Sequence, residues 1–165
     1  QKGYDGLIIV HSGHGGKGTI LSSDEKQIKI TQLHDKVSGS WRDEAKNIPR
    51  IFIVDACRGG TSVADSKKIA SKANDHVPSS HPRTNLVTIY GNPEGYITWD
   101  NPKKGGFLSQ TVISVLKKNK TKQQLFCFLT SDMAEEMTKK FGEEQMVISD
   151  GDPRLNKMSI LPKQL

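Results

Sequence analysis

With 165 residues, 34% of them hydrophobic and 25% charged, the chain has the size of one globular domain able to bury a core. Its formal net charge of +6 rests on scattered cations and on solvated runs such as Lys117-Lys118-Asn119-Lys120. Aromatics, at 6%, do not interleave with those clusters, which argues against a nucleic-acid groove, and no apolar run nears the roughly 20 residues of a membrane helix. Two cysteines, Cys57 and Cys127, stand far apart in different apolar contexts. They are too few for a disulfide framework, so a reducing compartment, the cytoplasm, is expected. No signal pattern opens the chain, and Gln1 is not a natural start, which leaves targeting open.

Taken in order, Leu7-Ile8-Ile9-Val10 reads as a buried strand of a parallel sheet and ends in His11-Ser12-Gly13-His14-Gly15-Gly16. A glycine-dense loop spans 13–18, and Thr19-Ile20-Leu21 is a short strand before the turn Ser22–Glu25. Gln27 to Ile30 alternate as an edge strand does. Thr31 can cap a helix carrying Leu33 and Val37. A polar stretch closes at Pro49, and Ile51-Phe52-Ile53-Val54 is a second buried strand, which delivers Asp55-Ala56-Cys57-Arg58-Gly59. From Gly59 to about Arg83, Ser, Lys, Ala, Asp and Asn dominate, an exposed stretch longer than connections inside a compact domain usually are. Leu86–Tyr90 is again a strand, followed by the turn-rich Gly91–Gly95, then Tyr96–Trp99 and the turn-forming Asp100–Gly106. Phe107, Leu108, Thr111, Val112, Val115 and Leu116 fall at helical spacings. Leu125–Leu129 is predicted as a strand, and Thr130–Phe141 as a helix capped by Ser131 or Asp132. Met158–Leu161 is the last predicted strand, ended by Pro162. Strands alternating with helices predict an α/β class with a largely parallel sheet.

Two buried strands thus each bring a reactive side chain and glycines to the sheet edge where open α/β sheets place their chemistry. A cysteine thiol needs a base to become a nucleophile, and a histidine within hydrogen-bond reach supplies one and later an acid for the leaving group. Cys57 and His14 meet that requirement if their strands are neighbours. Gly15 and Gly16 admit close backbone approach, and their N–H groups with that of Cys57 can form an oxyanion hole. His11 and His14 lack the further Cys or His ligands of a zinc site, so no metal and no cofactor is expected.

Ser12-Gly13-His14-Gly15 and Asp55-Ala56-Cys57-Arg58-Gly59 resemble the histidine and cysteine motifs of the caspase-like cysteine peptidases, and their separation is close to the roughly 50 residues of that signature. Gly95-Tyr96-Ile97-Thr98-Trp99-Asp100-Asn101 is similar to the segment lining the family's substrate groove. The resemblance implies a caspase-like sandwich, a mostly parallel sheet flanked by helices on both faces, in a single domain over 1–165. It further implies a large-subunit-like part over about 1–58, an intersubunit linker at 59–83 and a small-subunit-like part over 84–165. A His14–Cys57 dyad follows from it, with the Gly15 and Cys57 N–H groups as oxyanion donors, Trp99 walling the pocket for the residue before the scissile one and Asn101 with neighbouring backbone helping to hold substrate. It also implies a strand and helix ahead of the histidine strand that this chain lacks, a last strand pairing across a dimer interface, and regulation by adaptor domains.

Caspases grip a substrate aspartate with a glutamine two places before the cysteine and with arginines. Here Asp55 takes the glutamine's place, and Asp100, directly after Trp99, takes that of an arginine. Two carboxylates would repel a substrate aspartate and pair with arginine or lysine. The expectation is therefore an endopeptidase of apoptosis or signalling that cuts proteins after Arg or Lys, with Asp-specific cleavage or a scaffold of little turnover as alternatives. Lys67, Lys68, Lys72 and Arg83 are then candidate self-cleavage sites, and Asp65 and Asp75 the candidates under an aspartate preference.

Overall fold

In the computed structural model, four strands build the main sheet: β1 (Leu7–Ser12), β5 (Arg50–Asp55), β6 (Leu86–Tyr90) and β9 (Ile148–Gly151), side by side in that order. The structure describes residues 6–39, 48–59, 84–118, 126–141 and 146–157. β1, β5 and β6 run parallel, whereas β9 pairs antiparallel with β6. Between β1 and β5 lie the short strands β2 (Gly15–Gly16), β3 (Thr19–Leu21) and β4 (Gln27–Lys29), a three-stranded antiparallel meander, and helix α1 (Ile30–Gly39). After β6 come a small hairpin, β7 (Asp100–Asn101) and β8 (Gly105–Gly106), and helices α2 (Phe107–Lys118) and α3 (Phe126–Phe141). A 3-10 turn covers Pro153–Lys157.

β5 is buried along its whole length because its alternate residues feed two cores. Ile51 and Ile53, with Val87 and Ile89 of β6, pack against Leu108, Val112 and Val115 of α2 and Leu129, Met133 and Met137 of α3. Phe52 and Val54, on the opposite face, pack with Ile20, Ile30, Leu33 and Val37 around α1. Helices therefore cover both faces, as a largely parallel sheet requires. On the α1 side His34 is buried, holds Thr88 Oγ1 at 3.0 Å and meets the Phe52 ring edge-on. On the other side Glu136 of α3 joins the helices by accepting from Ser114 at 2.9 Å and pairing with Lys118 and Lys140. No helix among the described residues is long and apolar enough to cross a membrane.

Three sequence expectations are corrected. The strand predicted at 125–129 is replaced over its described residues by helix: α3 is continuous from Phe126 to Phe141, so Ser131 and Asp132 lie inside it and cap nothing. The buried residues Leu129, Met133 and Met137 recur every four positions against α2, and that helical stripe overrides the short apolar run. β1 is not buried like β5, for its burial alternates and Ile8 and Val10 are 54% and 59% exposed. Among the described residues it has β5 alone as a neighbour, and α2 and α3 cover the sheet further along. α1 begins at Ile30, which places Thr31 in its first turn; the side chain of Gln32 reaches back to the Lys29 N–H at 3.2 Å and does the capping. β9 went unforeseen, and the predicted strand Met158–Leu161 lies outside the described residues.

Candidate active site

The register of β1 on β5 decides which side chains meet. Ser12 lies opposite Asp55, so His14 and Cys57 each stand two residues past the last ladder pair of two adjacent parallel strands. The Gly13 N–H donates to the Asp55 carbonyl at 3.1 Å, carrying the contact one step beyond the sheet. Gly15 then packs directly on the cysteine turn. A Cβ at that position would lie 2.9 Å from the Cys57 carbonyl oxygen, 3.0 Å from Ala56 Cβ and 2.8 Å from the Thr19 carbonyl oxygen, so only glycine fits. The His14 carbonyl accepts from Leu21 N at 2.9 Å, which fixes the histidine turn to the β2–β3 hairpin. The His14 residue is exposed and Cys57 half-buried, an arrangement open to a ligand.

Residues 96–99 form the wall beside the cysteine. Arg58 N donates to the Tyr96 carbonyl and Gly95 N to the Arg58 carbonyl, both at 3.0 Å. The Thr98 hydroxyl donates to the Ala56 carbonyl at 2.9 Å. Thr98 N–H points at Cys57 Sγ from 3.4 Å, and the thiol faces the Thr98 carbonyl at 3.7 Å. Tyr96 and Trp99 on this wall are 59% and 46% exposed, aromatic surface left open beside a thiol. Behind the wall the Arg58 guanidinium lies 3.7 Å above the Tyr90 ring and donates to the Asn92 carbonyl at 3.1 Å. The buried Asn92 donates from its amide to the Ile97 carbonyl and accepts from Met146 N at 3.2 Å. Lys17 and Glu94 make an ion pair of 3.1 Å between the two loops that flank Arg58 and Gly59.

Asp55 is 3% exposed and sits under the start of α2. Its Oδ2 accepts from Ser109 N at 2.7 Å and Ser109 Oγ at 2.6 Å, where the first turn of a helix has backbone donors to spare. Gly106 makes room, because a Cβ there would fall on the Asp55 carboxylate. Asp55 Oδ1 is buried and has no hydrogen-bond partner in the structure. Burial pushes the Asp55 carboxyl above the usual range; the Ser109 bonds oppose that, and the negative charge of Asp100 adds to it. The two predicted specificity carboxylates are thus electrostatic neighbours. Asp100 itself is exposed at the start of β7. Asn101 turns its Oδ1 onto Lys103 N and Lys104 N at 3.0 and 3.1 Å, so that oxygen belongs to the hairpin turn.

His14, Gly15, Cys57 and the Thr98–Trp99 wall are accordingly brought together, with Asp55 and Asp100 alongside. The candidates Lys67, Lys68, Lys72, Asp65, Asp75 and Arg83 lie outside the described residues. Among the described residues no group of three or more His, Cys, Asp or Glu side chains could hold a metal ion. Sequence reading passed over Thr98 and Asn92. Only their partners' positions in space give them their roles, although Asn92 stands in a turn-rich stretch that marked the place.

Comparison with known proteins shows the family and the fold. Residues 1–152 match the peptidase family described as the caspase domain. Caspase-14 of Homo sapiens is 24% identical over 145 residues, covering 85% of this chain and 57% of that protein. Caspase-3 of Mesocricetus auratus is 27% identical over 125 residues, 75% of this chain and 45% of that protein. In fold, the crystal structure of caspase-1 from Spodoptera frugiperda matches with a TM-score of 0.66 at 16% identity, over 90% of this chain and 59% of that one. The chain spans roughly half the length of these curated relatives.

Proposed function

Because this chain belongs to the caspase domain family, we propose that it is a cysteine endopeptidase that cuts protein substrates after arginine or lysine. The observation that carries the reading is the placement of His14 and Cys57 two residues beyond the Ser12–Asp55 pair of adjacent parallel strands, with Gly15 packed on the cysteine turn. His14 takes the proton of Cys57, and the thiolate attacks the carbonyl carbon of the scissile peptide. The negative oxygen of the tetrahedral intermediate is held by the N–H groups of Gly15 and Cys57. As the C–N bond breaks, His14 returns the proton to the leaving amine, leaving a thioester on Cys57. Water then gives a proton to His14 and attacks the thioester, and the carboxylic acid product and the free thiol are released.

The charge of the pocket supports the basic preference. An acidic side chain of the substrate would have to sit against the buried Asp55 and the neighbouring Asp100, whereas a guanidinium offers donors to both. Substrate main chain would run along Thr98–Asn101, with Trp99 as an apolar wall. A positional-scanning peptide library on the purified protein tests the reading. Cleavage after Arg or Lys is expected, and faster cleavage after Asp would overturn it in favour of the activity from which caspases take their name.

In this reading residues 59–83 separate a large-subunit-like part from a small-subunit-like part of one domain and are cut at Lys67, Lys68 or Lys72. The strand predicted at 158–161 serves a homodimer, and adaptor domains bring the protein to its site of action. The two widely spaced cysteines favour a reducing compartment, the cytoplasm, as that site.

A further inference from the structure

We infer that the backbone N–H of Thr98 is a further catalytic group, a fixed donor that holds the sulfur of Cys57 as its proton leaves for His14, and that the Thr98 hydroxyl positions it. The inference rests on the His14–Cys57 reading above and concerns the sulfur itself, not the substrate. Around Cys57 the cysteine turn and the wall are fastened on both sides. Ahead of it, the Ala56 carbonyl accepts from Thr98 Oγ1 at 2.9 Å. Behind it, Arg58 N donates to the Tyr96 carbonyl and Gly95 N to the Arg58 carbonyl, both at 3.0 Å. The residues caught between, Cys57 and Thr98, meet through the sulfur, with Thr98 N 3.4 Å from Sγ. The Ile97 carbonyl belongs to the same planar peptide unit as that N–H and points the other way. It is held by the side-chain amide of Asn92, a residue only 1% exposed. Both ends of the unit are thereby fixed, one on a buried amide and the other on the sulfur.

A main-chain N–H away from water needs an acceptor. Among the described residues, Cys57 Sγ is the acceptor this one has. A neutral thiol sulfur accepts weakly, whereas an ionised acceptor makes a bond about twice as strong. The bond is therefore weak at rest and strengthens as the proton passes from Sγ to His14. A donor already in place favours the ion pair over the neutral pair without any rearrangement. The contact of the thiol with the Thr98 carbonyl, at 3.7 Å, is longer and is given up in the same step. The bond from Asn92 adds to the effect, because a peptide group whose oxygen accepts is polarised and donates better through its N–H. Once the thioester has formed, the sulfur is neutral and its hold on the N–H weakens again.

The test reads the sulfur without substrate. Alkylation of Cys57 by iodoacetamide is followed in the full chain by mass spectrometry of peptide 51–58, which trypsin releases between Arg50 and Arg58, so Cys127 does not enter. Thr98→Val keeps the shape of the side chain and loses the tether on Ala56. Its rate constant at neutral pH is expected to fall about ten-fold, the lower end for a hydrogen bond to a charged group. Thr98→Ser, which keeps the hydroxyl, restores most of the rate. Thr98→Pro removes the N–H outright and brings the loss towards about 100-fold; the Val and Ser pair carries the test should proline prevent folding. All proteins converge at about pH 10, where a cysteine is ionised without help. kcat/KM on Arg-P1 peptides (P1 being the residue cut after) falls in step at neutral pH. An unchanged neutral-pH rate in Thr98→Val overturns the inference, and so does a fall that persists undiminished at about pH 10, which would show lost access and not a lost donor. Failure of the dyad reading shows separately, as wild-type alkylation that His14→Ala leaves unchanged.

Discussion

Replacing Asp55 with asparagine separates the observed bond of its carboxylate to α2 from the substrate contact proposed for it. Oδ2 is engaged twice by Ser109, at 2.7 and 2.6 Å, while Oδ1 is buried without a partner. In Asp55→Asn the Ser109 N–H still needs an acceptor, so the amide oxygen takes the place of Oδ2 and the amide NH2 that of Oδ1. A substrate guanidinium then loses one charge-assisted hydrogen bond, about 1.5–3 kcal/mol, and meets a donor in its place. At about 1.4 kcal/mol per ten-fold, kcat/KM for Arg-P1 peptides falls about 10- to 100-fold, with Asp100 retaining part of the preference. Steady-state kinetics on matched Arg-P1 and Asp-P1 peptides reads this directly. The pH profile gives a second reading. Burial raises the Asp55 carboxyl, so wild-type activity on Arg-P1 peptides climbs with Asp55 ionisation above the ordinary carboxylate value of about 3.9, and the variant lacks that limb. Stability responds with the opposite sign. A raised folded-state value means a contribution that is full below the unfolded value and lost as pH rises through the folded one, so the wild type loses stability relative to Asp55→Asn across that window. A change of less than three-fold in the Arg-to-Asp ratio, with these stability effects intact, would reduce Asp55 to a cap for α2 and refute its part in specificity.

Cys57→Ala and His14→Ala are each expected to lower kcat by about 10⁴-fold or more, and in combination to cost little beyond either alone, since residues acting as a unit are not additive. Gly15→Ala must displace backbone on two sides; lowered thermal stability together with lost peptide cleavage is expected, and a wild-type melting curve with full activity would contradict the packing described. Glu136 has its carboxyl lowered to about 2, by Lys118 first and then by Lys140 and Ser114. Its contribution is present above the unfolded value of about 4.5 and lost as pH falls towards about 2, so Glu136→Gln should flatten the acid limb of a melting-temperature profile. Mass spectrometry of the incubated protein against Cys57→Ala should find cuts after Lys67, Lys68 or Lys72 that the variant lacks; cuts after Asp65 or Asp75 instead would favour an aspartate cutter.

Much of the site was legible before any fold was known, because its chemistry is local. A β-branched apolar run followed by a cysteine and glycines, and another followed by a histidine between glycines, mark strand ends whatever surrounds them, and Asp55 and Asp100 stand out once the motifs are matched to the family pattern. Locally ambiguous runs behaved differently. Residues 125–129 are too short for their period to distinguish strand from helix, and the contacts of Leu129, Met133 and Met137 with α2 decided the matter. Ile148–Gly151 carries no strand pattern, and it is one because the edge of β6 offers unpaired backbone groups on that side.

The sequence by itself determined which reactive groups this protein carries, which strands bring them to a sheet edge, and the sign of the charge beside them. Tertiary structure decided the rest. That Ser12 stands level with Asp55, that Thr98 lies against the thiol, that Asn92 braces the wall beside it and that Asp55 accepts from the start of α2 are relations between distant segments. They are set by strand register and core packing, which depend on all of the neighbouring elements at once and leave no trace in any one stretch of residues.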